Sequence, residues 1–137
     1  MIILKDANLK VASSDNVAAL LQKWIAELDE VDRNKEYFFT VLFDTRNKLK
    51  VVDVISVGTV NASLVHPREV YKRAILESAV WLLIAHNHPS GNSEPSNEDL
   101  KVTERIVNAG GIIGIELQDH IILGSGQYYS FRENGMM

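Results

Sequence analysis

Apolar residues recur along this chain at two spacings, and the switches between them mark its elements. In residues 13–30, SSDNVAALLQKWIAELDE, Val17, Leu20, Leu21, Trp24, Ile25 and Leu28 fall on one face at helical spacing, with Ser14 or Asp15 placed to cap the helix. EYFFTVLF (36–43) is aromatic and β-branched with little polar alternation, which predicts a strand covered on both faces. DTRN then offers turn chemistry, and KLKVVDVISVG returns as a second strand, an antiparallel hairpin. TVNASLVH (59–66) reads as a loop or short edge strand. Pro67 suits the first position of a helix through REVYKRAILESA, with Val70, Tyr71, Ala74 and Ile75 facing inward.

VWLLIA (80–85) is a buried strand by its length and composition. After a proline- and glycine-bearing loop, SNEDLKVTERIVNA (96–109) reads as a helix, expected to stop at Gly110–Gly111. IIGIELQ and HIILG predict two short strands around a turn at Gln118–Asp119, and GQYYSF an edge strand. Helices before, between and after the strands imply an α/β fold with one mixed sheet covered on both faces. No linker, internal repeat or low-complexity segment interrupts the 137 residues, so one domain is expected.

Composition narrows the chemistry. A 46% apolar, 23% charged chain is globular rather than disordered. Fourteen basic against 18 acidic residues give a formal charge of −4, so a general nucleic-acid binder, with its basic face, is not expected. With no cysteine, disulfides, thiolate nucleophiles and Cys-ligated metals are excluded. The apolar run Val80 to Ala85 is too short to span a bilayer, and the amino-terminal residues do not resemble a secretory signal. A soluble, cytoplasmic setting is the expectation.

The informative stretch is HNHPSGNSEPSNEDL, residues 86–100. In extended backbone, side chains at i and i+2 share a face, so His86 and His88 can converge as their strand ends. Two imidazoles at that spacing, a carboxylate as third ligand and water as fourth suit catalytic zinc. Pro89, Gly91 and Pro95 make a stiff, sharply turned loop that can return the third ligand. Asp99, in the first turn of the next helix, is the best-placed carboxylate, ahead of Glu94 and Glu98. Ser96 and Asp99 also satisfy a helix-capping pattern, which needs no metal.

The spacing His86-x-His88-x7-Ser96-x2-Asp99 matches the motif of the JAMM (MPN-plus, or JAB) zinc metalloproteases at every position. HPRE (66–69), HNHPSG (86–91), PSNED (95–99) and DHIILG (119–124) further resemble the bacterial RadC-like branch of that family, a likeness running from about Glu36 to the C-terminus. The resemblance implies a three-layer α-β-α sandwich of JAB/MPN, cytidine-deaminase-like architecture. It implies one zinc per chain on His86, His88 and Asp99, and hydrolysis of peptide or isopeptide bonds in a protein or peptide substrate.

Metal-activated water needs a group to take its proton and pass it on. Glu27, Glu30, Glu36, Glu69 and Glu77 all lie upstream of the pair, and spacing does not choose among them. The family's catalytic glutamate opens the first long strand, and Glu36 matches that place. By the same resemblance Ser96 would donate to the oxyanion of the tetrahedral intermediate, since its hydroxyl can accept as a cap and still donate. Ser90 is nearer but reads as a turn residue.

His66, before Pro67, reads as a loop or capping residue, and His120, after Asp119, as a satisfied structural histidine. Arg68 and Glu69 read as solvating a helix start, Trp24 and Trp81 as core, and Gly58 and Gly124 as turn glycines. The resemblance also carries a second reading, a DNA-repair-associated role without peptidase activity. Longer members of the branch hold an N-terminal helix–hairpin–helix region, for which the 35 residues before Glu36 are too few. A ligand-free scaffold is disfavoured because every ligand type is present. The deubiquitinating relatives hold ubiquitin with insertions, and no long insertion is found here.

Overall fold

The structure is a computed structural model describing residues 1–6, 13–58 and 65–137. Its elements are β1 (Ile2–Lys5), α1 (Ser14–Ala26), α2 (Glu30–Arg33), β2 (Glu36–Phe43), β3 (Leu49–Gly58), α3 (Pro67–Leu76), β4 (Trp81–Asn87), α4 (Asn97–Ile113), β5 (Glu116–Leu123) and β6 (Tyr128–Ser130). One six-stranded sheet runs β1-β3-β2-β4-β5-β6. Its neighbours are antiparallel except β4 and β5, which run parallel through the α4 crossover. It is the expected mixed sheet between two helical layers.

The alternation of side chains on β2 and β4 builds two cores. Tyr37, Phe39, Val41 and Phe43 join Trp81, Leu83 and Ala85 under Val17, Ala18 and Leu21 of α1. The intervening positions, Phe38 and Leu42 with Leu82 and Ile84, face Val70, Tyr71 and Ala74 of α3 and Val102 and Ile106 of α4. Both central strands are therefore apolar at nearly every position, as EYFFTVLF and VWLLIA predicted. Trp81 stacks on Phe43 at 4.1 Å, and Trp24 meets Tyr37 and Phe39 edge-on, so both tryptophans are packing residues.

Several sequence expectations need correction. The first helix begins after Ser13 rather than Ser14 or Asp15 and ends at Ala26. Asp29 starts the short α2 by accepting from Asp32 N at 2.8 Å, because a carboxylate next to free N–H groups favours a new helix over extending the old one. Ile75 does not face inward and is 58% exposed. α4 runs through Gly110–Gly111 to Ile113 and stops at Gly114, whose φ of 85° is left-handed. Gly110 is helical, and a side chain there would collide with the Tyr71 hydroxyl and the Ile115 carbonyl, so the position calls for glycine for close packing rather than for termination. β1 was not anticipated. It pairs antiparallel with β3 at the sheet edge. Of TVNASLVH, residues 59–64 lie outside the described residues.

The correction that matters most is at Gln118–Asp119. There is no turn. β5 is continuous, but its register against β4 slips between Leu82↔Leu117 and Leu83↔Asp119, a bulge of one residue at Gln118. The slip exchanges the faces of everything beyond it. Leu117 packs under α3 and α4, whereas Ile121 and Leu123 pack under α1. His120, opposite Ile84, is thereby turned toward the α3–α4 side.

Candidate metal centre

β4 delivers the two imidazoles. His86 is fully buried at its last regular turn of pleat, and His88 extends the β4–β5 ladder by one bond, its N–H donating to the Leu123 carbonyl at 2.9 Å. The loop that follows is braced from β5–β6. Ser125 N donates to the Gly91 carbonyl at 2.9 Å, and Gln127 Nε2 to the same oxygen at 3.1 Å. Gly124 permits this approach, since a Cβ there would lie 2.6 Å from that carbonyl. Ser90 accepts from Asn92 N at 3.3 Å, a turn contact as expected.

α4 returns the carboxylate. Ser96 caps it, accepting from Asp99 N at 3.1 Å, while Ser96 N donates to Asp99 Oδ2 at 2.8 Å. The capping pattern and the ligand geometry thus coexist, because a box that pins one carboxylate oxygen also aims the side chain. His86 Nε2 lies 3.0 Å from His88 Nε2 and 3.1 Å from Asp99 Oδ1, and His88 Nε2 lies 3.2 Å from Asp99 Oδ2. Ligands on a tetrahedral ion with bonds of about 2.05 Å stand about 3.3 Å apart. The His86–His88 separation is close to that edge, and the two imidazoles reach different oxygens of the one carboxylate. Among the described residues these three make a group of His, Asp and Glu side chains near enough to hold one metal ion. Glu94 and Glu98 are outside it.

The three groups shape one another's charge. Burial opposes ionisation of Asp99, but the His86 and His88 rings and the Ser96 N–H outweigh it and hold the carboxyl far below the usual range. The Asp99 carboxylate beside His88 raises that imidazole above its ordinary value against the cost of desolvation, with help from the Asn92 carbonyl and the Glu36 charge. Both shifts favour an ion pair in the absence of metal.

Glu36 is half-buried at the start of β2. The antiparallel register that pairs Phe38 with His86 carries Glu36 to the level of His88, on the same face of the sheet. Asn87, between the two histidines, was not singled out from the sequence. Its side chain accepts from Tyr37 N at 2.7 Å and donates to the Lys35 carbonyl at 2.9 Å, clamping the backbone on both sides of Glu36. No periodicity distinguishes such an asparagine from a strand-end polar residue, so only the β2–β4 pairing reveals it. Ser96 is exposed beside the group, with its hydroxyl proton uncommitted by the cap. His66 caps α3 without a side-chain hydrogen bond.

His120 was expected to be a satisfied structural residue, and it is fully buried and bonded. Burial and the neighbouring His86 push its imidazole well below the usual value, so it stays neutral. Its ring nevertheless touches His86. Asp119, on the opposite face, is a separate structural node that accepts from Ser14 and Ser130 hydroxyls at 2.5 Å and from the His120 and Arg132 N–H groups. A cavity of about 620 Å³ is lined by His88 with Ile25, Arg33, Leu123 and Gly124, but not by His86, Asp99, Ser96 or Glu36. No helix among the described residues is long and apolar enough to cross a membrane.

A family model described as the RadC-like JAB domain matches residues 11–136. The chain is 51% identical over 127 residues to a UPF0758 protein of Rubrobacter xylanophilus, covering 93% of this chain and 53% of that one. It is 42% identical over 134 residues to a UPF0758 protein of Methanosarcina acetivorans, covering 98% and 56%, and 42% over 135 residues to UPF0758 protein TTE0897 of Caldanaerobacter subterraneus, again 98% and 56%. The chain spans about half the length of these relatives.

Proposed function

This chain belongs to the RadC-like JAB domain family, and on that premise we propose that it is a zinc-dependent hydrolase of amide bonds, acting on a peptide or isopeptide. The observation that carries the reading is the convergence of His86 Nε2, His88 Nε2 and the two oxygens of the Asp99 carboxylate, at separations of 3.0–3.2 Å.

When bound there, the ion supplies Lewis-acid polarisation of water and of the scissile carbonyl. The chain's own groups do the rest. Glu36, held at the level of His88 by the Asn87 clamp, takes the proton of the attacking water and returns it to the leaving amine. Ser96 donates its free hydroxyl proton to the developing oxyanion while its lone pairs keep the helix cap. A DNA-associated role without hydrolysis is the other reading, and salt-dependent DNA binding by the purified chain would favour it.

Elemental analysis tests the ligand set. About one zinc per chain is expected in the parent and little in His88→Ala or Asp99→Ala. Glu36→Gln should keep its metal and lose hydrolysis of a fluorogenic isopeptide or peptide panel. Ser96→Ala should keep metal, since the Ser96 N–H still holds Asp99 Oδ2, while slowing turnover. Loss of metal in Glu36→Gln would remove Glu36 from the role of base.

A further inference from the structure

Behind their Nε2 atoms the two histidines are anchored differently. His88 Nδ1 lies 2.8 Å from the Asn92 carbonyl oxygen. A carbonyl only accepts, so that contact requires Nδ1–H and leaves the Nε2 lone pair free for a ligand bond. His86 is backed by another ring instead. Its Nδ1 faces His120 Nε2 at 2.9 Å, a contact with no direction of its own because either ring could donate.

The direction is set two residues further along. Thr103 Oγ1 donates to the Asp99 backbone carbonyl at 2.8 Å and lies 2.5 Å from His120 Nδ1. With that proton on the carbonyl, its oxygen accepts from His120 Nδ1–H. In that tautomer His120 presents a lone pair at Nε2, which accepts from His86 Nδ1–H. His86 Nε2 is left unprotonated, aimed at His88 and Asp99. Each proton position follows from the one before. The rings have little freedom to escape the chain. Phe131 stacks on His120 at 4.7 Å and 12°, and Phe38 stacks on His86 at 6.1 Å and 13°. The Gln118 bulge is what puts His120 on this face at all.

We propose that His120 and Thr103 are positioning residues of the metal centre, a buried hydrogen-bond relay that holds His86 in its Nδ1–H form so that Nε2 can bind an ion. The inference rests on the ligand set of the proposed function and adds two residues that this set does not contain. Its energetic basis is general: the outer partner of a ligating histidine sets tautomer and ring orientation, and its loss costs about 10–100-fold in metal affinity.

Zn²⁺ affinity, measured by competition with a chromogenic chelator, separates the possibilities. His120→Phe, which fills the space without an acceptor, should weaken binding about 10–100-fold. His120→Gln, whose Oε1 can accept near the old Nε2 position, should restore most of the loss. Thr103→Val should weaken binding several-fold and Thr103→Ser should not. Long-range ¹H–¹⁵N spectra of the zinc-loaded parent should place the His86 proton on Nδ1 and show a slowly exchanging His120 Nδ1–H, lost in Thr103→Val. If His120→Phe does not fold, the Thr103 pair and the spectra still decide. Parent-like affinity in Thr103→Val and His120→Phe, or a His86 proton on Nε2, overturns the relay and leaves the ligand set standing. No zinc uptake by the parent overturns the ligand set, and the relay with it.

Discussion

Two adjacent glycines near the end of α4 should respond to alanine with opposite signs. Gly110 and Gly111 are both helical, and alanine in a helix interior is favoured over glycine by about 0.8–1.0 kcal/mol. At Gly111 a Cβ would meet nothing within 4 Å, so Gly111→Ala should realise most of that gain. At Gly110 the new methyl would stand 2.4 Å from the Tyr71 hydroxyl and 2.6 Å from the Ile115 carbonyl. Tyr71 is 1% exposed, and its hydroxyl donates to the Ile106 carbonyl at 2.9 Å. Moving it aside leaves a buried hydroxyl unpaired, about 1–3 kcal/mol, and overpacking adds about 1–3 kcal/mol more. After the propensity gain is subtracted, Gly110→Ala should be about 1–5 kcal/mol less stable than the parent, and Gly111→Ala up to about 1 kcal/mol more stable. At roughly 3–5 °C per kcal/mol for a domain of this size, urea titrations and thermal scans resolve the pair easily. Equal stabilisation by both alanines would refute the argument that Gly110 is kept for close packing against α3.

Two further outcomes follow from the site. Asn87→Ala strands the buried Tyr37 N–H and should cost about 1–3 kcal/mol, with turnover falling more than zinc affinity because Glu36 rather than a ligand is loosened. Denaturation and chelator competition on the same variant check both halves, and an equal loss of metal would contradict the clamp. In chelator-treated protein the His88–Asp99 pair should give a pH optimum of stability. The lowered Asp99 contributes above its ordinary 3.8 and loses that contribution as pH falls through the folded value, while the raised His88 contributes below 6.5 and loses it as pH rises through its own. Buried His120, held well below 6.5, loses stability as pH falls from that value, so urea midpoints should peak near pH 6.5, and a midpoint that climbs steadily past pH 7 would contradict the pair.

Much of the site could be read before any fold was known, and the reason is local. His86 and His88 share a face because strand side chains alternate, and Asp99 lies near them because a short stiff loop joins the strand to the helix that carries it. Glu36 was not readable from spacing among five candidate glutamates and came only through the family resemblance. Its place beside His88 depends on an antiparallel pairing between strands about 50 residues apart. Asn87 and Thr103 carried no signal at all, since a polar residue at a strand end and a threonine inside a helix are ordinary in isolation.

The amino-acid sequence by itself determined the α/β class, the covered central strands, the histidine pair and the capped helix that brings Asp99, because each depends on contacts within a few residues. The tertiary structure alone decided that β2 sets Glu36 level with His88, that α4 continues through Gly110–Gly111, and that β5 is one strand. It also decided the company His120 keeps. One extra residue at Gln118 shifts the register against β4, and because side chains on a strand alternate, that slip carries an imidazole across the sheet from the α1 side to the back of His86.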